Sequence, residues 1–325
     1  MDAETCEPDH LCLICLASTE GVGPASIRKV MAGAEARGIS LSEALRLSAE
    51  ELGGAFGIAR KVASIMAGLR SPLLGGQAVL DWLERVEAQP VFEGSEYYPA
   101  RISESLRESA PPVMFIVGEP GILARPSIAV VGSRKPSEAA AAAARSFAGD
   151  MAAAGAAVVS GGAVGIDTAA HKGAIERGAT VVVPPVGIGR FRWRGIADEE
   201  FQSGRWCLLG QFPPLEGWKN RYALIRNRTI VAASEAVVAF EPRDSGGTWH
   251  GCVTALRMRK PLFVATARDS VANRHALERL VRHGAVVLDI RCMPDHPAFK
   301  DLLEGYRLPP VSAQLPLFDP LDGSQ

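Results

Sequence analysis

Between residues 90 and 292 short apolar runs alternate with longer stretches of helical period. The runs are PVFEG, VMFIVG, SIAVVG, AAVVSGG, TVVVPPVG, WCLLGQF, AVVAFE, PLFVATA and AVVLDI. They are rich in β-branched residues and apolar at nearly every position, as strands buried on both faces are. The helical stretches include EAAAAAARSFAGDMAAAG, DTAAHKGAIERG, ALIRNRTIVAAS, GCVTALRMRK and NRHALERLVRHG. Such alternation predicts an α/β fold: an extended Rossmann-like, doubly wound, mostly parallel sheet covered by helices on both faces. Ligands of such sheets sit outside the carboxyl ends of the strands, so functional residues are expected just after each strand.

Residues 1–88 read instead as short helices, a small all-helical domain of helix-hairpin-helix or SAM-like type. Gly21-Val22-Gly23-Pro24 and Gly57-Ile58-Ala59 each lead into a helix with Lys or Arg in its first turns. Free backbone N–H groups there can hold a phosphate; the alternative is a plain glycine-capped turn. The sheet domain is expected over 89–292. Residues 293–325, rich in Pro and Asp, read as a flexible tail carrying one apolar island, Gln314-Leu315-Pro316-Leu317-Phe318. That island resembles the Gln-Leu-x-Leu-Phe peptide with which replication and repair proteins dock on the bacterial sliding clamp, with Gln314, Leu315, Leu317 and Phe318 as the docking side chains.

Composition narrows the class. The chain has 325 residues, 47% hydrophobic and 22% charged, an ordinary globular mix. No apolar run approaches the roughly 18 residues of a membrane span, and the acidic start MDAETCEPDH does not read as a signal peptide, which points to the cytoplasm. Of six cysteines, Cys12 and Cys15 lie near Cys6 and His10, but Leu and Ile between them and the lack of a second CxxC favour a helix over a zinc knuckle. The net charge of −1 gives no general basic surplus, so any polyanion site must concentrate its cations locally. Arg190, Arg192 and Arg194 form one cluster, Lys219, Arg221, Arg226 and Arg228 a second, and Arg257, Arg259 and Lys260 a third.

Three strand ends carry donor-rich loops. Gly132-Ser133-Arg134-Lys135-Pro136-Ser137 follows SIAVV, with Ser137 as the expected N-cap of the next helix and the helix start as an anion site. Ser160-Gly161-Gly162-Ala163-Val164-Gly165-Ile166-Asp167 follows AAVV; Asp167 and His171 share a helix face, and structural roles suit them better than acid–base work because no nucleophile or metal set accompanies them. Pro242-Arg243-Asp244 and Ser245-Gly246-Gly247-Thr248 follow AVVAFE. Neither GxGxxG nor a Walker sequence is present, so ordinary NAD or ATP chemistry has little support. Trp193 and Trp249 are candidates for base stacking or for the core.

At this point the sequence resembles the DprA/Smf (DNA processing protein A) family. The stretches that carry the resemblance are YPARISESL at 98–106, VGSRKPS at 131–137, SGGAVGIDTAAHKGAI at 160–175, RNRTIVAAS at 226–234, SGGTWHGCVTAL at 245–256 and ANRHALERLVRHGA. PPVGIGRFRWRG stands where the family usually has Leu-Gly-x-Gly followed by Asp and Tyr-Pro. The resemblance implies an extended Rossmann fold that binds single-stranded DNA and hands it to a RecA-type recombinase, in DNA uptake or anti-phage defence. Carried over by motif, it implies DNA or phosphate contacts from Gly132, Ser133, Arg134, Lys172, Arg226, Asn227, Arg228, Ser245, Gly246 and Thr248, to which the donor-rich loops add Lys135, Ser160, Gly161, Gly162 and Gly247. No catalytic residue, metal or cofactor is expected, and a homodimer is. The competing expectation is a nucleotide-binding sensor or phosphoribohydrolase-like enzyme, whose Pro-Gly-Gly-x-Gly-Thr turn is met here only by Ser-Gly-Gly-Thr.

Overall fold

The computed structural model describes residues 7–69, 71–193, 204–266 and 274–289. Helices α1 (Pro8–Ala17), α2 (Pro24–Arg37), α3 (Leu41–Ala44), α4 (Ala49–Phe56), α5 (Arg60–Ala67) and α6 (Pro72–Arg85) come first. Their starts follow local chemistry. Ser40 with Glu43, and Ser48 with Glu51, close reciprocal capping boxes on α3 and α4. Pro24 and Pro72 stand in the first turns of α2 and α6, where a missing N–H leaves no helical bond unmade. Cys12 and Cys15 are buried free thiols of α1, and no group of potential metal ligands occurs among the described residues; Cys6 lies outside them.

The strands are β1 (Ala88–Phe92), β2 (Val113–Gly118), β3 (Ser127–Gly132), β4 (Ala157–Ser160), β5 (Ala179–Val182), β6 (Trp206–Gly210), β7 (Ala236–Phe240), β8 (Leu262–Thr266) and β9 (Val286–Asp289). Each falls on one of the apolar runs. They form one 9-stranded sheet in the order β1-β2-β6-β5-β4-β3-β7-β8-β9. From β6 to β9 every pairing is parallel, while β2 runs antiparallel to both β1 and β6. The connecting helices are α7 (Ala100–Leu106), α8 (Glu138–Ala153), α9 (Ile166–Arg177), α10 (Asn220–Ala232), α11 (Gly246–Arg257) and α12 (Arg274–Arg282).

The winding reverses at β3. From β3 the chain steps outward through β4 and β5 to β6, then returns to lay β7 on the other side of β3. Helices α8 and α9 cover one face, burying Phe147, Ala148 and Ile166 against Val130, Val238 and Phe240. Helices α10, α11 and α12 cover the other, with Ile230, Trp249 and Leu280 in one cluster with Val131, Val237 and Val264. The N-terminal helices share a core with the sheet as well: Ile14, Leu16, Leu80 and Leu83 join Phe92, Phe115 and Leu208. Each large side chain so buried contributes about 1.5–3 kcal/mol. Because α8 leaves β3 on one face and α11 leaves β7 on the other, a crevice opens between the carboxyl ends of these two strands.

Candidate functional site

That crevice is an open cleft of about 630 Å3. Its walls come from the loop after β3 (Gly132, Ser133, Arg134, Lys135), the β4–α9 loop and first turn of α9 (Ala163, Asp167), α10 (Ala223, Leu224, Arg226, Asn227) and the loop after β7 (Glu241, Arg243 and Ser245 to Thr248). The expected residues of the first and third loops therefore converge, and Arg226 and Asn227 join them. Others do not line it. Ser160 is fully buried, its hydroxyl donating to the Val130 carbonyl at 2.6 Å. Gly161 and Gly162 lie behind the wall, Lys172 is half-buried on α9 outside the cleft, and Arg228 faces a second pocket on the far side of α10. Gln314, Leu315, Leu317 and Phe318 lie outside the described residues.

The two helix starts at the cleft differ. Ser137 caps α8, accepting from Ala140 N at 3.2 Å, as its position predicts. A second partner was not legible in the sequence: the Glu241 carboxylate accepts from Ser137 N at 3.1 Å and from the Ser137 hydroxyl at 2.6 Å. The expectation of an anion site at this helix start is thus corrected, because the chain's own carboxylate occupies it, favourably placed at the positive end of the helix dipole. At α11 no side chain among the described residues caps the helix, and Ser245, Gly246, Gly247 and Thr248 open onto the cleft. Asn227 Nδ2 donates to the Gly247 carbonyl at 3.0 Å and so fixes this turn to α10.

Arg226 is 5% exposed. Its guanidinium lies over the backbone of Gly161, where an added Cβ would stand 1.3 Å from Nη1. Only glycine leaves that space. Its Nη1 stands 3.8 Å from Asp167 Oδ2, and Asp167 also accepts from Ala163 N at 3.3 Å. Burial pushes the Asp167 carboxyl up and the Arg226 guanidinium down, and the facing opposite charges resist both shifts. Arginine does not give up its proton in proteins, so the pair is ionic. It clamps the β4–α9 loop to α10, while Arg226 Nε, in the cleft wall, has no hydrogen-bond partner among the described residues. Gly165 brings the β3 and β4 loops together: at φ +89°, its Cβ position lies 2.4 Å from the Ser133 carbonyl, which accepts from Ile166 N at 3.1 Å.

His171 is buried below this clamp. Its Nδ1 lies 2.7 Å from Thr180 Oγ1, which itself donates to the Val158 carbonyl at 2.7 Å, so Nδ1 is the donor to Thr180. Nε2 has no hydrogen-bond partner among the described residues. Burial and the nearby Arg226 charge hold His171 neutral, its pKa lowered to about 3. Asp167 thus faces Arg226, and His171 faces Thr180.

The exposed cations on the cleft are Arg134, Lys135 and Arg243, each without an ion-pair partner among the described residues. The charge clusters of the sequence are otherwise dispersed. Lys219 is paired with Glu20 and, at 3.0 Å, with Glu216, and Arg190 donates to the Leu215 carbonyl at 3.1 Å. Trp249 is buried with Arg279 over its ring, and Trp193 packs edge-on against His171 and Trp206. The exposed tryptophan is Trp218, at 57%, which sequence reasoning passed over although Lys219 and Arg221 follow it.

Fold and site define a doubly wound α/β protein with a cationic, donor-lined cleft at its switch point. The family described as DNA recombination-mediator protein A matches residues 89–293, well over half of the chain, and the chain belongs to that family. It is 27% identical over 220 residues to Protein Smf of Escherichia coli K12, covering 65% of this chain and 57% of that one. To DNA processing protein DprA of Streptococcus pneumoniae R6 it is 27% identical over 194 residues, 58% of this chain and 66% of the relative. It thus spans between half and two-thirds of the length of these relatives. Among solved structures, DNA processing protein A of Streptococcus pneumoniae superposes with a TM-score of 0.65 at 21% identity, over 87% of this chain and 95% of that one. DNA processing protein A of Helicobacter pylori, described as having a unique single-stranded DNA binding mode, gives 0.57 at 24% identity, over 66% of this chain and 97% of that one. No helix among the described residues is long and apolar enough to cross a membrane.

Proposed function

We propose that the cleft binds the backbone of single-stranded DNA and that the protein protects the strand and hands it to a RecA-type recombinase. One observation carries this reading: Arg134, Lys135 and Arg243, which have no ion-pair partner among the described residues, line the cleft beside the start of α11, which none of the described side chains caps. Exposed cations draw phosphates in and release counterions, and backbone donors fix their position without reading bases. Gly132, Ser133, Asn227, Ser245, Gly246, Gly247 and Thr248 shape and supply the donor surface. Arg226 adds a buried positive charge beneath it, and Ser160, Gly161 and Gly162 support the wall. Lys172 and Arg228 act outside the cleft.

The role is binding rather than catalysis: Asp167 is tied to Arg226, and His171 is neutral and turned to Thr180. The cleft needs no metal or cofactor for it. A cytoplasmic setting, in DNA uptake or anti-phage defence, suits this work. A homodimer is part of the same reading, supported by exposed Val286 and Val287 on the edge strand β9 and Val281 on α12. Gln314, Leu315, Leu317 and Phe318 would add a tether to the sliding clamp. The helical unit and the sheet divide near residue 88.

Fluorescence anisotropy with single-stranded oligonucleotides across a salt series tests the reading. We expect Arg134→Ala to weaken binding to all sequences alike and to reduce the magnitude of the log–log salt slope by about 0.7, one phosphate contact. Unchanged affinity and slope in a folded variant would remove the cleft from strand binding.

A further inference from the structure

On the far side of α10 from the cleft lies a second pocket, of about 420 Å3, within the roughly 300–1,000 Å3 range of ligand sites. It opens where the glycine hairpin before α2 meets the sheet unit. One helix separates the two sites. Ala223, Leu224, Arg226 and Asn227 of α10 line the cleft, while Arg221, Tyr222, Ile225, Arg228 and Thr229 line the pocket. The crest between them carries Leu224 and Ile225, exposed at 46% and 41%. An α-helix with its side chains is only about 10 Å across, so a ligand leaving one site over this crest enters the other.

The two sites differ in chemistry. The cleft offers cations and backbone donors. The pocket has apolar walls, among them Val22, Ile27, Leu106 and Phe212. Phe212 stacks on Tyr222 with ring centroids 4.0 Å apart, and Arg221 lies over the Tyr222 ring at 5.4 Å. In the wall, Gln211 accepts from the Thr229 hydroxyl at 2.7 Å, and its amide nitrogen has no hydrogen-bond partner among the described residues. Neither Arg221 nor Arg228 has an ion-pair partner among the described residues. An apolar slot lined also by one donor without a partner among the described residues and by two exposed arginines suits a flat, weakly polar ring attached to an anionic backbone.

We propose that this pocket accepts a nucleobase of the strand whose phosphates the cleft holds. The inference rests on the strand-binding reading above. It gives the glycine hairpin at Gly21 to Pro24 a part in base accommodation rather than in phosphate binding alone. Base capture in apolar and aromatic surroundings is tolerant of sequence, because every base has a π-face.

The test compares an oligothymidylate with an abasic sugar–phosphate strand of equal length, by anisotropy on the full chain. Ala25, exposed, and Ser26, half-buried, face the pocket from the first turn of α2. Ala25→Leu and Ser26→Leu narrow the pocket without changing charge, and leucine suits a helix. The wild-type chain should prefer the base-bearing strand. Each leucine variant should lose about tenfold for it and less than about twofold for the abasic strand. Urea midpoints report folding, and Ala25→Leu, at the exposed site, carries the test should Ser26→Leu unfold. The proposal is overturned by a wild-type chain without base preference, by leucine variants that bind both strands as wild type does, or by equal losses on both. Arg134→Ala in the same assay addresses the cleft separately: it should weaken both strands. If it alters neither while the leucine variants lose their base preference, the cleft reading fails and the pocket stands.

Discussion

Arg226 shows how residue type and spacing can point to the right place and the wrong contact. Its Arg-Asn-Arg context marks it as a phosphate ligand, yet the fold spends most of its guanidinium on Asp167 and on the space over Gly161. Arg226→Ala leaves a buried carboxylate unpaired, and we expect a loss of about 3–5 kcal/mol in urea denaturation. Adding Asp167→Asn should restore part of that loss, because the uncompensated charge is gone; purely additive effects would show that the two side chains are not a unit. Arg134→Ala, at an exposed site, should leave stability within about 0.5 kcal/mol. His171 gives a pH signature. Its folded pKa, about 3, lies below the unfolded value of 6.5, so between these limits the unfolded chain binds the extra proton. Stability contributed by the neutral ring is complete above 6.5 and is lost as pH falls toward 3, at up to about 1.4 kcal/mol per pH unit. His171→Asn, whose amide can still donate to Thr180, should flatten that slope; equal slopes for wild type and variant from pH 6.5 to 4 would place the titration elsewhere. None of this was visible locally: Asp167 lies 59 positions from Arg226, and only the fold joins them.

Elements were more legible than contacts. The strands could be read because buried parallel strands are apolar at every position, as in SIAVVG and AVVAF, and glycine or serine marks several of their ends. Ser137 was legible as a cap because capping is a local bond. Glu241 was not, since it reaches α8 from the end of β7, across 104 positions. Its presence moves the open helix start from α8 to α11. Glu241→Gln removes a negative charge from the cleft while keeping a hydrogen-bonding side chain. We expect oligonucleotide affinity to rise at low salt, with a loss of about 0.3–1 kcal/mol in stability from the lost helix-dipole pairing. Weaker strand binding by this variant would mean that the carboxylate, rather than the free cations, organises the site. The turn before α11 shows the same limit. Ser-Gly-Gly-Thr announces exposed donors, but its fastening to α10 through Asn227 depends on a helix that lies elsewhere in the sequence.

At the scale of the whole molecule, the change of pattern near residue 88 suggests two units, whereas the packing couples them. Phe92, Val113, Phe115 and Leu208 on the β1–β2–β6 side of the sheet share one core with Ile14, Leu16, Leu80 and Leu83 of the N-terminal helices. Phe115 is 0% and Leu208 5% exposed in the full chain. Each such side chain contributes about 1.5–3 kcal/mol by burial, so uncovering several costs a large part of the roughly 5–15 kcal/mol by which a domain is stable. Arg28 adds polar ties across the boundary: it pairs with Glu93 at 2.5 Å and donates to the Ala110 carbonyl at 3.1 Å. The same junction forms the walls of the pocket beyond α10, so its integrity matters to binding as well as to stability. We therefore expect the full chain to unfold in one urea transition, followed alike by tryptophan fluorescence and far-ultraviolet circular dichroism. A piece comprising residues 89–293 should keep the sheet but unfold at lower urea, and its uncovered apolar face should bind a hydrophobic dye and self-associate. Two separate transitions in the full chain, or a monomeric 89–293 piece with an unshifted midpoint and no dye binding, would mean that the helices rest on the sheet without stabilising it.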